Sequence, residues 1–292
     1  VQGREGVRQV IAALDVGGTH VSAARVDLES ARVEPLVRLE YEPHADRPVL
    51  LQAILTAASA VAAPAVAAVG VSVPGPFDYD TGVCTIRGVG KLEALYGLDL
   101  RGELAHAFGV RGAAVVFLND AEAFLLGEAG HGAARGHARA VGLTLGTGLG
   151  SAFLADGAIV RGGAGVPQEG SLHLLAFRGA PVEERISARG LRARSDGRDV
   201  RELALAARAG DASAQGAFSG YSADLADFLD QCLRAFAPTC LVVGGSISRA
   251  WDLIGPALVA AFPHVEVNPS ALLDEAPLLG AARYALSTSA LP

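Results

Sequence analysis

The feature that most constrains this chain is a strand–glycine turn–strand unit that occurs twice. Residues 10–26 read VIAALDV, a glycine turn, then HVSAARV. Residues 138–155 read ARAVGLTL, a second glycine turn, then LGSAFLA. Short apolar, partly alternating runs bounded by glycine predict antiparallel hairpins. A similar plan follows each hairpin. After the first come VEPLVRLEY (33–41), a helix-like Ala/Leu stretch over 46–63, the strand VAAVGVSV (66–73), a weaker helix near 98–108, the strand AAVVFL (113–118) and a helix after Asn119. After the second come helical stretches over 199–210 and 211–236, the strand CLVVGG (240–245), and helices near 248–262 and 276–286. Two meanders, each followed by α–β units, indicate duplication at domain scale rather than a short-period solenoid. Mixed sheets with helices on both faces follow from the element order, and a cleft between the halves is the expected ligand site.

A chain of 292 residues, 51% of them hydrophobic, suits two compact domains and argues against disorder. No run reaches the roughly 18–20 apolar residues of a membrane span. The opening VQGREGVRQV lacks the basic start and apolar stretch of a signal peptide, so a cytoplasmic protein with no membrane partner is expected. A net charge of −7 without a basic run argues against a nucleic-acid partner. Lys91 is the only lysine, and GxxxxGK[ST] is absent. Any phosphate site must therefore neutralise charge with backbone amides, Mg²⁺ or Arg. Cys84, Cys232 and Cys240 form no C-x-x-C pair, which supports neither a disulfide framework nor a cysteine zinc site.

Three glycine motifs are candidates for nucleotide binding. In Asp15-Val16-Gly17-Gly18-Thr19 the glycines let backbone amides approach an anion, Thr19 can donate a hydroxyl, and Asp15 at the strand end is placed to hold Mg²⁺ through water. Taken alone, this is also what an ordinary glycine hairpin looks like. Gly146-Thr147-Gly148 repeats the chemistry in the second half, and two such turns at matching places could grip one polyphosphate from opposite sides. Gly244-Gly245, at the end of a buried strand and before a helix, would let an adenosine pack closely. Asn119-Asp120 ends a strand and opens a helix. Either residue can cap that helix. The pair also sits at a strand's carboxyl end, where α/β folds place their sites. There Asp120 would take the proton of an attacking hydroxyl and Asn119 would orient the acceptor.

Taken in order, DVGGTH, SVPGPFD, FLNDAEA, LTLGTGLGSAF, QEGSLH and LVVGGS resemble the ROK family (repressor, open reading frame, kinase) of bacterial sugar kinases, over essentially the whole chain. The resemblance implies an α/β actin-like (ribonuclease-H-like) ATPase fold of two duplicated βββαβαβα domains with an interdomain cleft. The smaller domain would be residues 1–118 plus about 279–292, and the larger 119–278. It implies ATP and Mg²⁺, a homodimer or homotetramer, and phosphorylation of glucose or a related hexose at the 6-hydroxyl. It places Gly17, Gly18, Thr19, Gly146, Thr147 and Gly148 on phosphate, Gly244 and Gly245 on adenosine, and Asp120 as catalytic base. It assigns Gly75, Asn119, Glu169, His173 and Glu183 to the sugar.

The departures from the family pattern are specific. His20 follows GGT where the family has Lys. E-x-G-H has become Glu169-Gly170-Ser171-Leu172-His173, so that either His173 or Leu172 takes the family His place. The cysteine zinc motif is replaced by LLAFRGAPVEER, so no zinc is expected, and packing of Leu174, Leu175 and Phe177 is expected to hold the loop carrying Glu169 and Glu183. Arg87 and Lys91, in IRGVGKLEALYG, have no assigned role. Besides a hexose kinase, the residues leave open an amino-sugar kinase of the kanosamine or N-acetylmannosamine type and a non-catalytic sugar-sensing regulator. A strand starting at about Val10 is expected to leave no room for a regulator's N-terminal helix-turn-helix.

Overall fold

The computed structural model describes residues 10–64 and 66–288. The chain packs as two compact units. One runs to Gly127 and takes the chain back from Pro277; the other is Glu128–Ala276.

The first unit is built on strands β1 (Val10–Val16), β2 (His20–Asp27) and β3 (Arg32–Glu40), helix α1 (Arg47–Val61), strand β4 (Val66–Val73), helix α2 (Leu100–Phe108), strand β5 (Val115–Asn119) and helix α3 (Asp120–His131), inside which the division falls. Its sheet has the order β3-β2-β1-β4-β5. The β1–β2–β3 pairs are antiparallel, and β1–β4 and β4–β5 are parallel. β1 and β4 are nearly continuous apolar runs because they are central strands covered on both faces. β3 carries Pro35 and exposed Glu34, Arg38 and Glu40, as an edge strand can. Leu50, Ile54, Ala57, Ala58 and Val61 turn one face of α1 onto the sheet.

The second unit contains β6 (Arg139–Leu145), β7 (Leu149–Ala155), β8 (Ala158–Ile159), β9 (Ala176–Phe177), β10 (Ala180–Pro181), α4 (Ala188–Ala193), α5 (Val200–Arg208), α6 (Ala212–Leu233), β11 (Cys240–Gly244), α7 (Trp251–Ala261) and β12 (Glu266–Pro269). Its main sheet has the order β12-β11-β6-β7-β8, and β9 and β10 pair separately. A last helix, α8 (Ala276–Thr288), returns the chain to the first unit.

The expected actin-like, ribonuclease-H-like fold of two duplicated βββαβαβα domains is corrected here to a mixed α/β fold with two open five-stranded sheets. The sheets share a strand order, but the second half does not repeat the first. Its third strand has two residues, a separate hairpin follows, and α4, α5 and α6 stand where the first half has α1 alone. The physical reason lies in the chain after Ile159. It is rich in Gly and Pro, with Gly163, Gly165, Glu169, Gly170, Arg178 and Gly179 all at positive φ, and such a backbone cannot continue a ladder.

Of the three residues expected to hold the loop, Phe177 is buried and Leu175 packs partly buried against the core, but Leu174 does not. Leu174 is 68% exposed, whereas Leu172, Phe177 and Val182 are buried. The polar anchor is Asp224 of α6, whose side chain is 7% exposed and meets three guanidiniums. Arg178 Nη1 donates to Oδ1 at 2.5 Å, Arg185 Nη1 to Oδ2 at 3.2 Å, and Arg194 also to Oδ2. Arg178 further reaches Asp227 at 2.6 Å. Segment 178–194 is thus tied to α6 through one nearly buried carboxylate.

Two measurements check this packing. A Cβ on Gly70 would run into the Ala281 carbonyl, and one on Gly280 into that of Ala123, so β4, α8 and α3 touch through backbone. Gly70→Ala is expected to cost about 2–3 kcal/mol, the scale of overpacking, read as a lower urea midpoint. Unchanged stability would contradict this contact. Asp224→Ala removes the carboxylate shared by three arginines, leaving Arg178 only Asp227 and Arg194 only carbonyls, and is expected to cost about 2–4 kcal/mol in the same experiment, with Asp224→Asn between it and the parent.

Candidate functional site

Parallel pairing sets the first half of the site. Asp15 stands opposite Ser72 in the β1–β4 register, and Val73 opposite Asn119 in the β4–β5 register. The ends of three parallel strands therefore bring the glycine turn, the chain leading to Gly75 and the Asn119-Asp120 pair to one carboxyl edge, where α/β sheets place their ligands.

The turn itself is tightly bonded. Gly17 N–H donates to the His20 carbonyl at 2.8 Å, closing the hairpin. The Tyr41 hydroxyl reaches the carbonyls of Gly17 at 2.7 Å and His20 at 2.9 Å. Burial, and behind it the Asp15 charge, pushes this phenol well above its ordinary pKa, so it remains a donor. Asp15 Oδ1 accepts from Ser72 Oγ at 2.7 Å, and Oδ2 lies 4.0 Å from His20 Nε2. His20 also lies over Gly17: a Cβ there would sit 3.1 Å from His20 Cε1. Thr19 is exposed at the tip.

At the β5 end, Asn119 Oδ1 and Asp120 Oδ1 each accept from Ala121 N–H at 3.0 Å, so both take part in opening α3. Asn119 Nδ2 donates to the Tyr79 hydroxyl at 3.2 Å, and that hydroxyl lies 3.2 Å from the Val73 carbonyl. A Cβ on Gly75 would lie 3.5 Å from the same oxygen. Tyr79 thus gathers Val73, Gly75 and Asn119. Its ring packs on Phe77, with centroids 5.4 Å apart.

In the second unit Gly146-Thr147-Gly148 joins β6 to β7, with Thr147 exposed. Gly146 N–H donates to the Gly148 carbonyl at 3.0 Å, and the Gly146 carbonyl accepts from Ala188 N–H of α4 at 2.8 Å. Glu183 Oε1 accepts from Leu149 N–H at 2.7 Å and presses on Gly148. The structure places Glu183 first of all as a brace of this hairpin. Gly244 stands opposite Thr144 in the β11–β6 register. Gly245, at φ +83°, lies so close to Leu145 that any Cβ would strike its backbone. The two turns are neighbours, since a Cβ on Gly146 would sit 3.4 Å from Ser246 Oγ.

Glu169 is exposed, at φ +54° in a turn held by Ser151. Ser151 Oγ donates to the Gly170 carbonyl at 2.6 Å and accepts from Leu172 N–H at 2.9 Å. Leu172 enters the core and His173 is exposed. Burial pushes Cys232 up to about 11 and Cys240 to about 12, and raises Cys84, so these thiols are neutral at ordinary pH. Among the described residues, no three His, Cys, Asp or Glu side chains converge as a metal cluster. The single Asp15 carboxylate suits Mg²⁺, which takes one or two carboxylates and otherwise water and phosphate oxygens. No helix among the described residues is long and apolar enough to cross a membrane.

Sequence reasoning missed Tyr41, Tyr79, Ser72 and Ser151. Ser72 carried a signal, as a hydroxyl in an otherwise apolar buried strand; the tyrosines carried none. Arg87, unassigned by sequence, stacks on Tyr96 at 3.5 Å from the ring centroid.

A glucokinase of Thermotoga maritima is 28% identical to this chain, over 92% of this chain and 95% of the relative. The crystal structure of a ROK hexokinase from Thermus thermophilus superposes with a TM-score of 0.75 at 25% identity, covering 94% of this chain and 96% of that one. A ROK family glucokinase from Streptomyces griseus, solved in complex with glucose and AMPPNP, gives 0.73 at 25% identity, covering 95% and 99%. Residues 11–288 match the ROK family as a whole, and the chain belongs to that family of sugar kinases.

Proposed function

We propose that this chain transfers the terminal phosphoryl group of ATP to the 6-hydroxyl of glucose or a closely related hexose, with Asp120 as the base. The observation that carries the reading is the shared edge of β1, β4 and β5, on which Asp15 and the first glycine turn stand in one row with Asn119 and Asp120. A phosphate-binding turn and a carboxylate at one edge are what phosphoryl transfer to an alcohol requires. The Streptomyces griseus relative, crystallised with glucose and an ATP analogue, supports the choice of both substrates.

In this reading the sugar lies against Gly75 and Asn119, with Glu169, His173 and Glu183 as further contacts. Tyr79 fixes the Asn119 amide, so its orientation is settled before the sugar arrives. Glu183 keeps Oε2 for a hydroxyl while Oε1 remains on Leu149 N–H. The hydroxyl oxygen attacks the terminal phosphorus, its proton passes to the Asp120 carboxylate, the bond to the bridging oxygen breaks, and ADP leaves. Amides of Gly18 and Gly148, with the Thr19 and Thr147 hydroxyls, take phosphate oxygens, while Gly17 and Gly146 close the turns that present them. Gly244 and Gly245 take the adenosine. Mg²⁺, when bound at Asp15, neutralises charge on the leaving diphosphate.

The test is ADP release with Mg²⁺ and ATP across a panel of hexoses and N-acetylated amino sugars. Glucose or a near relative is expected to give the highest kcat/KM; an N-acetylated sugar in that place would shift the assignment to an amino-sugar kinase. Asp120→Ala is expected to lower kcat by about three orders of magnitude, the combined scale of positioning and base catalysis, with nucleotide binding by calorimetry preserved. Normal turnover by that variant would remove Asp120 from the mechanism.

A further inference from the structure

The only lysine in the chain leans on Gly18 of the first glycine turn. A Cβ placed on Gly18 would lie 2.8 Å from Lys91 Cδ and 3.3 Å from Lys91 Cβ. The aliphatic stem therefore runs along the glycine, and the ammonium lies two bonds beyond the atom in contact. No hydrogen bond or ion pair of Lys91 occurs among the described residues.

The backbone on either side of Lys91 turns through left-handed residues, of which Leu92 alone carries a steric cost. Gly88 and Gly90 have φ of +70° and +71°, and Leu92, which carries a Cβ, has φ +57°. A left-handed non-glycine residue persists only where its surroundings over-determine it, and such residues cluster at functional positions. Leu92 is fully buried and its N–H donates to the Pro43 carbonyl at 3.3 Å. Gly90 N–H donates to Glu93 Oε1 at 2.7 Å. The loop is pinned on both sides of Lys91, whose own side chain is left to lie on Gly18. At the same turn stand Asp15 and His20, neither of them a permanent cation.

We infer that Lys91 is the phosphate-contacting cation of the first glycine turn, taking a polyphosphate oxygen through its ammonium. The inference rests on the proposed nucleotide-dependent activity but can fail or survive separately from it. An ammonium on a long stem reaches a phosphate as a point charge, and a site with a single lysine makes that contact open to direct chemical reading.

The experiment uses the intact chain and an amine-reactive acetylating reagent. Since Lys91 is the only side-chain amine, peptide mass spectrometry follows its labelling apart from the N-terminus. AMPPNP and inorganic tripolyphosphate, each at saturating concentration, are expected to slow labelling of Lys91 at least about fivefold, while adenosine and glucose leave it unchanged. In kinetics, Lys91→Ala is expected to raise the KM for ATP about ten- to hundredfold, the scale of one charge-assisted hydrogen bond, with Lys91→Arg recovering part of the loss and the sugar KM unmoved. Shielding by tripolyphosphate without turnover of any sugar would uphold Lys91 and sink the kinase reading. Turnover with an unchanged ATP KM in Lys91→Ala, shielding by glucose alone, or no shielding by either polyphosphate would overturn the inference.

Discussion

Parallel pairing of β1, β4 and β5 is the constraint on which the first unit depends. A one-residue slip between β1 and β4 would move Asp15 off Ser72 and send Leu14 and Val16 to the opposite face of the sheet, against the wrong packing partners. The register that buries the apolar residues is the one that aligns Asp15 with the start of the Gly75 loop, and Val73 with Asn119. Stability and site geometry therefore come from the same contacts. The bare backbone at Gly70 and Gly280 serves this arrangement, since it lets α8 sit directly on β4 and α3, the helix that Asn119 and Asp120 open.

The second unit solves the same problem with charge. Its hairpin at 146–148 is closed by the Gly146–Gly148 hydrogen bond and is supported from outside the sheet. Glu183 and the first amide of α4 bracket it from one side, and the segment bearing them is tied to α6 by the arginines on Asp224. A nearly buried carboxylate shared by three guanidiniums adds little net stability over a well-packed apolar cluster, because desolvation offsets much of the attraction. What it supplies is direction. Arg178, Arg185 and Arg194 have one acceptor in common, so a shifted loop would leave a buried charge incompletely paired.

Much of this fold was legible in the residues. β1, β4 and β7 fall where their apolar runs predict, and α5, α6, β11 and α8 within a few residues, because each is a strongly patterned segment bounded by Gly, Pro or a capping Asp. Asp211, for example, caps α6 through Ala214 N–H. The region from Ile159 to Arg194 was not legible. Its strands are two residues long and its turns rest on positive φ at Glu169 and Arg178, which no propensity announces. Leu174 looked like core by composition and is exposed, since a three-residue turn sends Leu172 inward and its successors out. In the site, motif residues announced themselves, whereas their supports did not. Tyr41 and Tyr79 act over 24 and 40 residues of sequence separation, and only the folded backbone brings them to Gly17 and Asn119.

The two glycine turns also differ in how much of their backbone is free for an anion. In the second, Leu149 N–H is occupied by Glu183, and the carboxylate brings a negative charge beside Gly148. Any phosphate there meets fewer amides and an opposing charge. In the first, the Tyr41 hydroxyl lies on the carbonyl oxygens of Gly17 and His20, Gly17 N–H closes the hairpin, and no carboxylate accepts from an amide of the turn among the described hydrogen bonds. Asp15 is engaged by Ser72 and faces His20. By this accounting the first turn is the more anion-tolerant of the two.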